Sequence, residues 1–406
     1  MTVGPLDRWL AAALQRKLAR VAVRLELWDG SSPYEGPRPP TGDVAVRDRR
    51  ALIGLAIRPE LYFGEAYMTS RLIVRGHLER VLEAVGRLVP LEPALLERVA
   101  WAMARPNTLH ASRRNVHHHY DLGNDFYQSW LDEQLVYTCA YFDHPDEALE
   151  SAQRGKLDLV CRKLRLQPGE TVIEAGCGWG ALALHMARFY AVRVKAFNIS
   201  REQIAYARHR AAREGLADRV EFIDDDYRNV TGECDAFVSV GMLEHVGVLH
   251  YESLATVLTR VLRPTGGRGL LHFIGRDIAR PLNAWIRRRI FPGAYPPTLA
   301  EVTTKILSPA RMSVLDVENL RLHYARTLAH WSKRFSAIEQ QVRTRYGEEF
   351  RRAWELYLAG SEAAFAAGNL QLFQVVFAPL ECEPPYWKRA DIYGTESAER
   401  WFAATR

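Results

Sequence analysis

Two hydrophobic periodicities alternate along the second half of the chain. From about residue 165, short apolar runs typical of strands alternate with stretches whose apolar residues recur at helical spacing. The strand-like runs are VIEA (172–175), VRVKAF (192–197), VEFI (220–223), FVSV (237–240) and LLHFI (270–274). Strands that alternate with helices form parallel βαβ units. The pattern predicts an α/β fold with a doubly wound, mostly parallel sheet, to which NLQLFQVVFAPL adds a returning strand.

The first third of the chain is less regular. Residues 1 to about 30 predict an amphipathic helix with a basic face. Its apolar positions are Leu6, Trp9, Leu10, Ala13, Leu14 and Leu18. The chain turns polar at about 105–112, so we predict a smaller N-terminal α+β domain at 1–110. A larger α/β domain at 111–406 then contains a helical, aromatic-rich section at about 280–365.

Composition limits the kinds of partner. The chain has 406 residues and a net charge of +6, which favours an anionic partner such as nucleic acid or a phospholipid surface. No basic stretch with interleaved aromatic residues follows the pattern of a nucleic-acid strand, so we expect no nucleic acid. No apolar run is long enough to span a bilayer, and Arg and Lys interrupt the N-terminus too often for a secretory signal. Five cysteines without a CxxC pair give no zinc ribbon, and we expect a cytoplasmic protein with no bound metal.

The stretch VIEAGCGWG carries the first chemical signal. Its spacing, Glu174-x-Gly176-x-Gly178-x-Gly180, lies between a strand and a helix, where glycines allow a ligand to approach the backbone closely. It lacks the Gly-Lys-Ser/Thr of a phosphate loop and the GxGxxG of a dinucleotide site. It resembles the loop of class I S-adenosylmethionine methyltransferases, and this resemblance implies that the predicted sheet is a seven-stranded Rossmann-like sheet. In that class the acid lies near the amino acid portion of the cosubstrate.

The ends of the next two strands complete the predicted cosubstrate site. Asn198 and Ile199 end the second strand, and Gln203 lies one turn into the following helix, from which it could reach the ribose. Asp226 and Tyr227 follow the third strand, where such enzymes place an acid and an aromatic residue beside the adenine. An acidic triplet at 224–226 is also common in a solvated turn.

Four further motifs, together with the glycine loop, resemble the cyclopropane fatty acid synthase family. They are HHHYDLGNDFYQSWLDEQLVYTCAYF (117–142), SVGMLEHVG (239–247), LLHFIGRD (270–277) and LHYARTLAHW (322–331). The resemblance covers about 112 to the C-terminus. The N-terminal part matches more loosely, chiefly in FGEAYM (63–68), and is similar to the extra domain of the members that act on phospholipids.

The resemblance implies methyl transfer from S-adenosylmethionine to a cis double bond of an acyl chain in membrane phospholipids. Attack by the alkene leaves a carbocation, and a bound bicarbonate ion then takes a proton from the new methyl group so that a cyclopropane ring closes. The implied cage of the bicarbonate consists of Cys139, Glu244, His272, the backbone of Ile274, and Tyr324. Tyr137 and Thr138 are implied to contact the cosubstrate, and His119-Tyr120-Asp121 to open a lid helix above it.

Each of these residues also has an ordinary structural interpretation. A buried cysteine or histidine is usually a core residue, and Tyr324 could serve packing alone. Three departures from the family pattern stand out. Glu174 replaces the more common Asp, Asn198 replaces a frequent Thr, and Phe273 stands where a small polar residue is usual. We expect Phe273 to narrow the acyl channel.

Membrane docking has two candidate segments, the N-terminal helix and WIRRRIFPGAYPP (285–297), each combining apolar side chains with arginines. A core helix with an exposed basic face is the alternative interpretation of such a segment. We expect a cytoplasmic enzyme associated peripherally with the inner face of the membrane, and the resemblance implies a homodimer. Three alternatives remain open: a fatty-acyl C-methyltransferase that leaves a branched or methylenated chain, a small-molecule N-methyltransferase, and a non-catalytic lipid-binding protein.

Overall fold

The computed structural model describes residues 2–36, 39–88, 122–382 and 387–393. The described strands, in chain order, are β1 (Val23–Glu26), β2 (Gly42–Val46), β3 (Leu72–Arg75), β4 (Thr171–Ala175), β5 (Arg193–Asn198), β6 (Val220–Asp224), β7 (Ala236–Val240), β8 (Arg268–Gly275), β9 (Met312–Asn319) and β10 (Gln371–Pro379).

The described α-helices follow the same order. They are α1 (Pro5–Leu18), α2 (Arg49–Ile57), α3 (Pro59–Met68), α4 (Leu78–Gly86), α5 (Asn124–Gln128), α6 (Leu149–Lys163), α7 (Ala181–Phe189), α8 (Arg201–Arg213), α9 (Leu243–Val246), α10 (Tyr251–Val261), α11 (Ala284–Arg289), α12 (Leu299–Val302), α13 (Arg321–Ala337), α14 (Glu339–Tyr346), α15 (Glu348–Ala366) and α16 (Ala390–Tyr393). Within the described ranges, no helix is both long and apolar enough to cross a bilayer.

The chain divides into two compact units. The first contains the described residues of Met1–Arg105 together with Arg276–Ala294 and Arg321–Gln371, and the second contains the remainder. The long helices α13 and α15 therefore belong to the first unit. The predicted division into 1–110 and 111–406 stays a prediction, because its boundary falls within 89–121, outside the described residues.

The first unit contains a three-stranded sheet in the order β1-β2-β3. β1 and β2 are parallel, and β3 is antiparallel to β2. Helix α1 is fastened to this sheet by Gln15, whose side-chain amide donates to the Val23 carbonyl and accepts from the Leu25 N–H. This arrangement agrees with the predicted smaller α+β region.

Helix α1 turns polar residues inward. Its buried residues are Asp7, Ala11 and Gln15, and Asp7 accepts two hydrogen bonds from Arg49 at 2.7 Å. Leu6 and Trp9, both on the predicted apolar stripe, are 62% and 64% exposed. Specific hydrogen bonds to β1 and Arg49 thus set the orientation of the helix, and part of its apolar stripe faces outward.

The second candidate docking segment follows the alternative interpretation, a core helix with an exposed basic face. Trp285 and Ile290 are buried, and the indole N–H of Trp285 lies 3.2 Å from the sulfur of Met68. Arg289 donates to both carboxylate oxygens of Glu65, at 2.8 and 2.6 Å. Two of the apolar side chains on which the docking prediction for 285–297 depended are therefore core residues, and that prediction was wrong for them.

The second unit contains a seven-stranded sheet in the order β6-β5-β4-β7-β8-β10-β9. The pairs β4–β5, β5–β6, β4–β7 and β7–β8 are parallel, whereas β9 and β10 are antiparallel. The predicted doubly wound, mostly parallel sheet is confirmed, including the returning strand. β9 lies inside the section predicted to be helical. It is the edge strand of the sheet and only two of its eight residues are buried, so no continuous apolar run marks it.

The strand order reverses beside β4. The chain runs outward from β4 to β5 and β6, then returns to the other side of β4 as β7. Ligands of open α/β sheets bind at the carboxyl ends of the strands next to such a reversal. The glycine loop follows β4 and the segment 241–247 follows β7, so the predicted motifs meet at this crevice.

Candidate active site

The glycine loop uses conformations that favour glycine. Gly176, Gly178 and Gly180 all have positive φ angles, of 86°, 53° and 85°. A Cβ atom on Gly176 would lie 2.9 Å from Cβ of Met242, and one on Gly180 would lie 2.6 Å from Cζ of Phe222. A Cβ on Gly178 would meet nothing within 4 Å. The outer glycines are therefore required for packing, and the middle one borders open space where a ligand can approach the backbone.

Asn198 and Gln203 are brought together at the end of β5. The Asn198 side-chain amide donates to Oε1 of Gln203 at 2.7 Å and to the Gly178 carbonyl at 3.3 Å. Its oxygen accepts from the Ile199 N–H at 2.8 Å. Three predicted cosubstrate residues therefore form one hydrogen-bonded group against the glycine loop.

Asp226 and Tyr227 lie after β6, as predicted, but the carboxylate of Asp226 has a protein partner. Arg228 donates to its two oxygens at 2.7 and 2.9 Å. The Tyr227 side chain is buried, and its hydroxyl has no hydrogen-bond partner among the described residues. Among the described residues, the Asp226 carboxylate is therefore already paired with Arg228, whereas the Tyr227 hydroxyl has no hydrogen bond.

Glu174 and Lys156 are two buried ionisable groups, and the charge of each affects the pKa of the other. Both side chains are about 2% exposed or less. Burial raises the pKa of Glu174 to about 8, opposed by the positive charge of Lys156. Burial also lowers the pKa of Lys156 to about 8, opposed by Cys139, Asp132 and Glu174. Lys156 Nζ donates to the hydroxyl of Thr138 at 2.9 Å, which links the predicted cosubstrate residue Thr138 to this pair.

An aromatic cluster lies beside the loop. Tyr137 is 5.5 Å from Tyr127 and 5.4 Å from Trp130, measured between ring centroids. Trp179, between the second and third glycines, lies 5.1 Å from Tyr127 and donates to the side chain of Asn124 at 2.7 Å. Helix α5 is therefore tied to the glycine loop through Trp179.

Glu244 and Ile274 join the ends of β7 and β8. The backbone N–H of Ile274 donates to Oε1 of Glu244 at 2.5 Å. The other carboxylate oxygen, Oε2, is buried and has no partner in the part of the chain that the structure describes. Burial raises the pKa of Glu244 to about 7, and the Ile274 N–H opposes this. The N–H that was predicted to face an anion thus holds Glu244.

His272 lies two residues before Ile274 on β8, so the two side chains share one face of the sheet. Its Nδ1 is 3.1 Å from the side-chain nitrogen of Gln374, and its Nε2 is buried without a partner among the described residues. Burial and the positive charges of Lys156 and Lys163 hold the pKa of His272 well below its usual range. His272 is therefore neutral.

The remaining predicted residues have mixed outcomes. Cys139 is buried, with its sulfur 3.1 Å from the Ala140 carbonyl. Tyr324 lies in the first compact unit, where its ring packs against Phe365 at 4.6 Å, and its place in the cage stays a prediction. Phe273 alternates to the opposite face from His272 and packs against Phe373 in the core, so the expectation that it narrows an acyl channel was wrong. The predicted lid residues His119-Tyr120-Asp121 lie outside the described residues.

Sequence reasoning missed three contributors: Lys156, Trp179 and Gln374. Trp179 and Gln374 lie in elements that were predicted, whereas the helix α6 that carries Lys156 was not predicted. None of the three has a spacing that separates it from ordinary surface or core residues. Lys156 sits on a helix rich in charged residues, where a lysine is normally solvated. Only the depth of its burial distinguishes it.

Comparison with known proteins agrees with this geometry. A family model described as mycolic acid cyclopropane synthetase matches residues 107–375. A "Probable fatty acid methyltransferase" of Pseudomonas putida is 36% identical over 91% of this chain and 96% of its own length. The cyclopropane-fatty-acyl-phospholipid synthase of Escherichia coli K12 is 40% identical over 64% of this chain and 66% of its own. The tuberculostearic acid methyltransferase UfaA1 of Mycobacterium tuberculosis is 34% identical over 91% of this chain and 92% of its own length.

Solved structures show the same relationship. The cyclopropane synthase MmaA2 of M. tuberculosis superposes with a TM-score of 0.62 at 30% identity, covering 66% of this chain and 98% of its own. Coclaurine N-methyltransferase shares the fold, with a TM-score of 0.62 at 22% identity over 78% of this chain and 98% of its own.

The fold and the glycine loop thus define an S-adenosylmethionine-dependent methyltransferase. Within that class, the chain belongs to the cyclopropane synthase family, which includes fatty acid methyltransferases.

Proposed function

We propose that the protein transfers a methyl group from S-adenosylmethionine to the cis double bond of unsaturated acyl chains in membrane phospholipids and closes a cyclopropane ring. One proton leaves the transferred methyl group, so the net addition to the chain is one CH₂ unit. The alkene supplies the electron pair for the new bond, and S-adenosylhomocysteine is the leaving group.

One observation carries the proposal: two buried polar atoms at the ends of β7 and β8 have no partner among the described residues. His272 Nε2 and Glu244 Oε2 are these atoms. A buried polar group without a partner costs about 1–3 kcal/mol, so a ligand that bonds to these two atoms would be stabilised. A neutral imidazole N–H donates to an oxyanion, and a carboxylate oxygen accepts from a hydroxyl. Bicarbonate offers both kinds of oxygen, so the two residues fit it.

In this proposal the residues hold and shield the reacting groups. Bicarbonate, when bound, would supply the base that accepts the methyl proton. His272 donates from Nε2 toward it, and Glu244, fixed by the Ile274 N–H, accepts from it. Cys139 is a further member of the proposed cage, and Tyr324 remains a member that the resemblance alone implies. The apolar, buried surroundings exclude water, which would otherwise capture a carbocation.

The cosubstrate side of the site follows from the loop. S-adenosylmethionine, when bound, would supply the electrophilic methyl group. We assign its amino acid portion to Glu174, Gly176 and Thr138. Asn198, Ile199 and Gln203 hold the ribose side, and Tyr227 and Asp226 the adenine side. Tyr137 contacts it from the aromatic cluster.

A second candidate is supported by the comparisons. Two relatives that align with 91% of this chain are named "Probable fatty acid methyltransferase" and "Tuberculostearic acid methyltransferase UfaA1", and neither name mentions a cyclopropane. An unsaturated chain with a methyl branch arises from the same carbocation when a neighbouring chain carbon loses the proton. A methylene branch arises when a 1,2-hydride shift precedes loss of a proton from the transferred methyl group. The two unsatisfied atoms fit a base beside the transferred methyl group, which favours ring closure or a methylene branch over an unsaturated methyl branch.

Expression in a bacterium that makes unsaturated phospholipids but lacks its own cyclopropane synthase would test the proposal. Mass spectrometry of the fatty acid methyl esters should show chains with one added carbon that resist mild hydrogenation. Chains that have gained one carbon but take up hydrogen would indicate a methylene branch. Unchanged lipids would contradict both candidates and favour a small-molecule acceptor.

Membrane docking is proposed through helix α1. Leu6 and Trp9 are more than 60% exposed, and Arg8, Arg16 and Lys17 are exposed on the same helix. The only acidic residue of α1, Asp7, is buried. An apolar surface flanked by cations fits an anionic lipid surface, where each basic residue contributes about 1 kcal/mol. The peripheral position at the inner face of the membrane and the homodimer remain proposals from the resemblance.

Replacing Leu6 and Trp9 by serine should reduce the fraction of protein that sediments with phosphatidylglycerol vesicles by at least about five-fold, from the loss of apolar burial. Leu380→Ser, which changes an exposed leucine of the second unit, is the matched control. Activity on these vesicles should also fall at high salt. Activity that is independent of ionic strength, or equal binding by both variants, would contradict docking through α1.

A further inference from the structure

Gln374 lies on β10, directly beside the face of β8 that carries His272. Its side chain is fully buried and has two partners of different character. Lys163 Nζ is 2.7 Å from Oε1 of Gln374, and Nε2 of Gln374 is 3.1 Å from Nδ1 of His272. The four side chains of Glu318, Lys163, Gln374 and His272 therefore form a continuous row.

Lys163 fixes which way round the amide of Gln374 sits. A lysine ammonium has donors only, so the atom of Gln374 that faces it must be the carbonyl oxygen. A flipped amide would place two donors against each other in a buried position. Lys163 is itself held by Glu318, whose Oε2 is 2.5 Å from Nζ. The orientation of the Gln374 amide is therefore set by the Lys163–Glu318 ion pair, which lies on the side of Gln374 away from His272.

The amide in turn fixes the tautomer of His272. The NH₂ group of Gln374 can only donate, so Nδ1 of His272 must accept and carries no proton. In a neutral imidazole the single proton then lies on Nε2. Protonation of both nitrogens is opposed by burial and by the charges of Lys156 and Lys163, which lower the pKa of His272. Nε2 is the buried atom for which the described residues offer no partner.

We propose that Gln374 is a positioning residue of the methyl-transfer site: oriented by Lys163, it holds His272 in the Nε2–H tautomer and so presents a fixed donor to the oxyanion base. This inference rests on the proposed function for the identity of the anion. Without Gln374, either ring nitrogen could carry the proton. The Nδ1–H tautomer would turn a lone pair toward the anion and repel it.

Gln374→Glu tests the proposal with almost no change in shape. A carboxylate can only accept, so Nδ1 of His272 should become protonated. ¹⁵N NMR of histidine-labelled protein distinguishes protonated from unprotonated ring nitrogens, and the His272→Gln spectrum assigns the signals. The wild type should show Nε2 protonated and Nδ1 unprotonated from pH 6 to 8, and the variant should show a protonated Nδ1.

Activity should follow the tautomer. We expect Gln374→Glu to lower kcat at least ten-fold, with the affinity for S-adenosylhomocysteine changed less than two-fold by calorimetry. Lys163→Met, which frees the amide to rotate, should give mixed tautomers and an intermediate kcat, and it serves as a second test should Gln374→Glu fail to fold. Gln167→Glu adds the same charge at an exposed position and should behave as wild type.

Two results would overturn the inference. One is a wild-type His272 protonated on Nδ1. The other is a tautomer that changes in Gln374→Glu while kcat stays within two-fold of wild type. Failure of the proposed function looks different: the wild type would give the expected tautomer but no modified lipid.

Discussion

Glu174 offers the sharpest prediction, because its burial should cost stability in a defined pH range. The unfolded chain has an ordinary glutamate pKa of 4.5, whereas burial raises the folded value to about 8. Below pH 4.5 the carboxyl is protonated in both states and has no effect. As the pH rises from 4.5 to about 8, the unfolded chain releases the proton and the folded chain keeps it, so stability falls.

The change that tests this is Glu174→Gln, which removes the titration and keeps the shape. A pKa raised from 4.5 to about 8 corresponds to about 5 kcal/mol. The buried amide nitrogen of glutamine reduces the gain by about 1–3 kcal/mol at every pH, since it lacks a partner. Because that penalty is the same at every pH, we expect the stability of the variant relative to the wild type to grow by about 3–4 kcal/mol between pH 5 and pH 8.

Urea unfolding followed by tryptophan fluorescence at pH 5 and pH 8 measures the difference. Glu202→Gln, at an exposed position in the first turn of α8, is the control and should track the wild type at both pH values. An equal stability difference between Glu174→Gln and wild type at the two pH values would refute the reasoning. The same variant should bind S-adenosylhomocysteine about 10- to 100-fold more weakly, as expected for a lost hydrogen bond to a charged group.

Two further predictions concern the neighbouring buried charges. Lys156→Met should weaken binding of S-adenosylhomocysteine about ten-fold or more, because Thr138 loses its donor. It should also abolish the part of the wild-type stability that rises between pH 8 and 10.5, where the folded lysine has lost its proton and the unfolded one has not. Unchanged affinity by calorimetry would show that Lys156 does not support the cosubstrate site. Glu244→Gln should lower kcat at least about ten-fold while leaving that affinity intact, and remove any transition near pH 7 from the pH–rate profile. A pH–rate profile that keeps its transition near pH 7 would assign that transition to another group.

Much of the second unit could be predicted from periodicity. Its inner parallel strands β4, β7 and β8 are almost entirely buried and have nearly continuous apolar runs. The glycines of 176–180 mark the turn that follows β4. Strand β9, at one edge of the sheet, was not predicted because one of its faces is solvated and its apolar positions are sparse. Periodicity reports burial, so it is weakest where an element is half exposed.

The orientation of α1 could not be read from its sequence. Hydrophobic spacing indicates which residues share a face of the helix. Asp7 and Gln15 are buried because each has a hydrogen-bond partner that satisfies its polar side chain. Such pairs join residues distant in the chain, as Asp7 and Arg49 do. The same limit explains why Phe273 was assigned to a channel, since only strand alternation about His272 shows that it faces the core.

The sequence motifs predicted which residue types lie at the candidate site. They did not predict the hydrogen bonds or the protonation states of those residues. Glu244, His272 and Ile274 were expected together, yet the hydrogen bond from Ile274 to Glu244 depends on the register of β8 relative to the helix after β7. The tautomer of His272 depends on Gln374, 102 residues away in the chain. Protonation states are set by such long-range neighbours, so a single sequence cannot supply them.

The fate of the transferred methyl group tests the central claim most directly. Purified protein would be incubated with vesicles of cis-unsaturated phosphatidylglycerol, bicarbonate and S-adenosylmethionine carrying three deuterium atoms on its methyl group. The account predicts an acyl chain that retains two of the three deuterium atoms and resists mild hydrogenation, because one is removed as the ring closes. A product that retains all three would mean that no base acts on the transferred methyl group, and would contradict the assignment of His272 and Glu244 to the base.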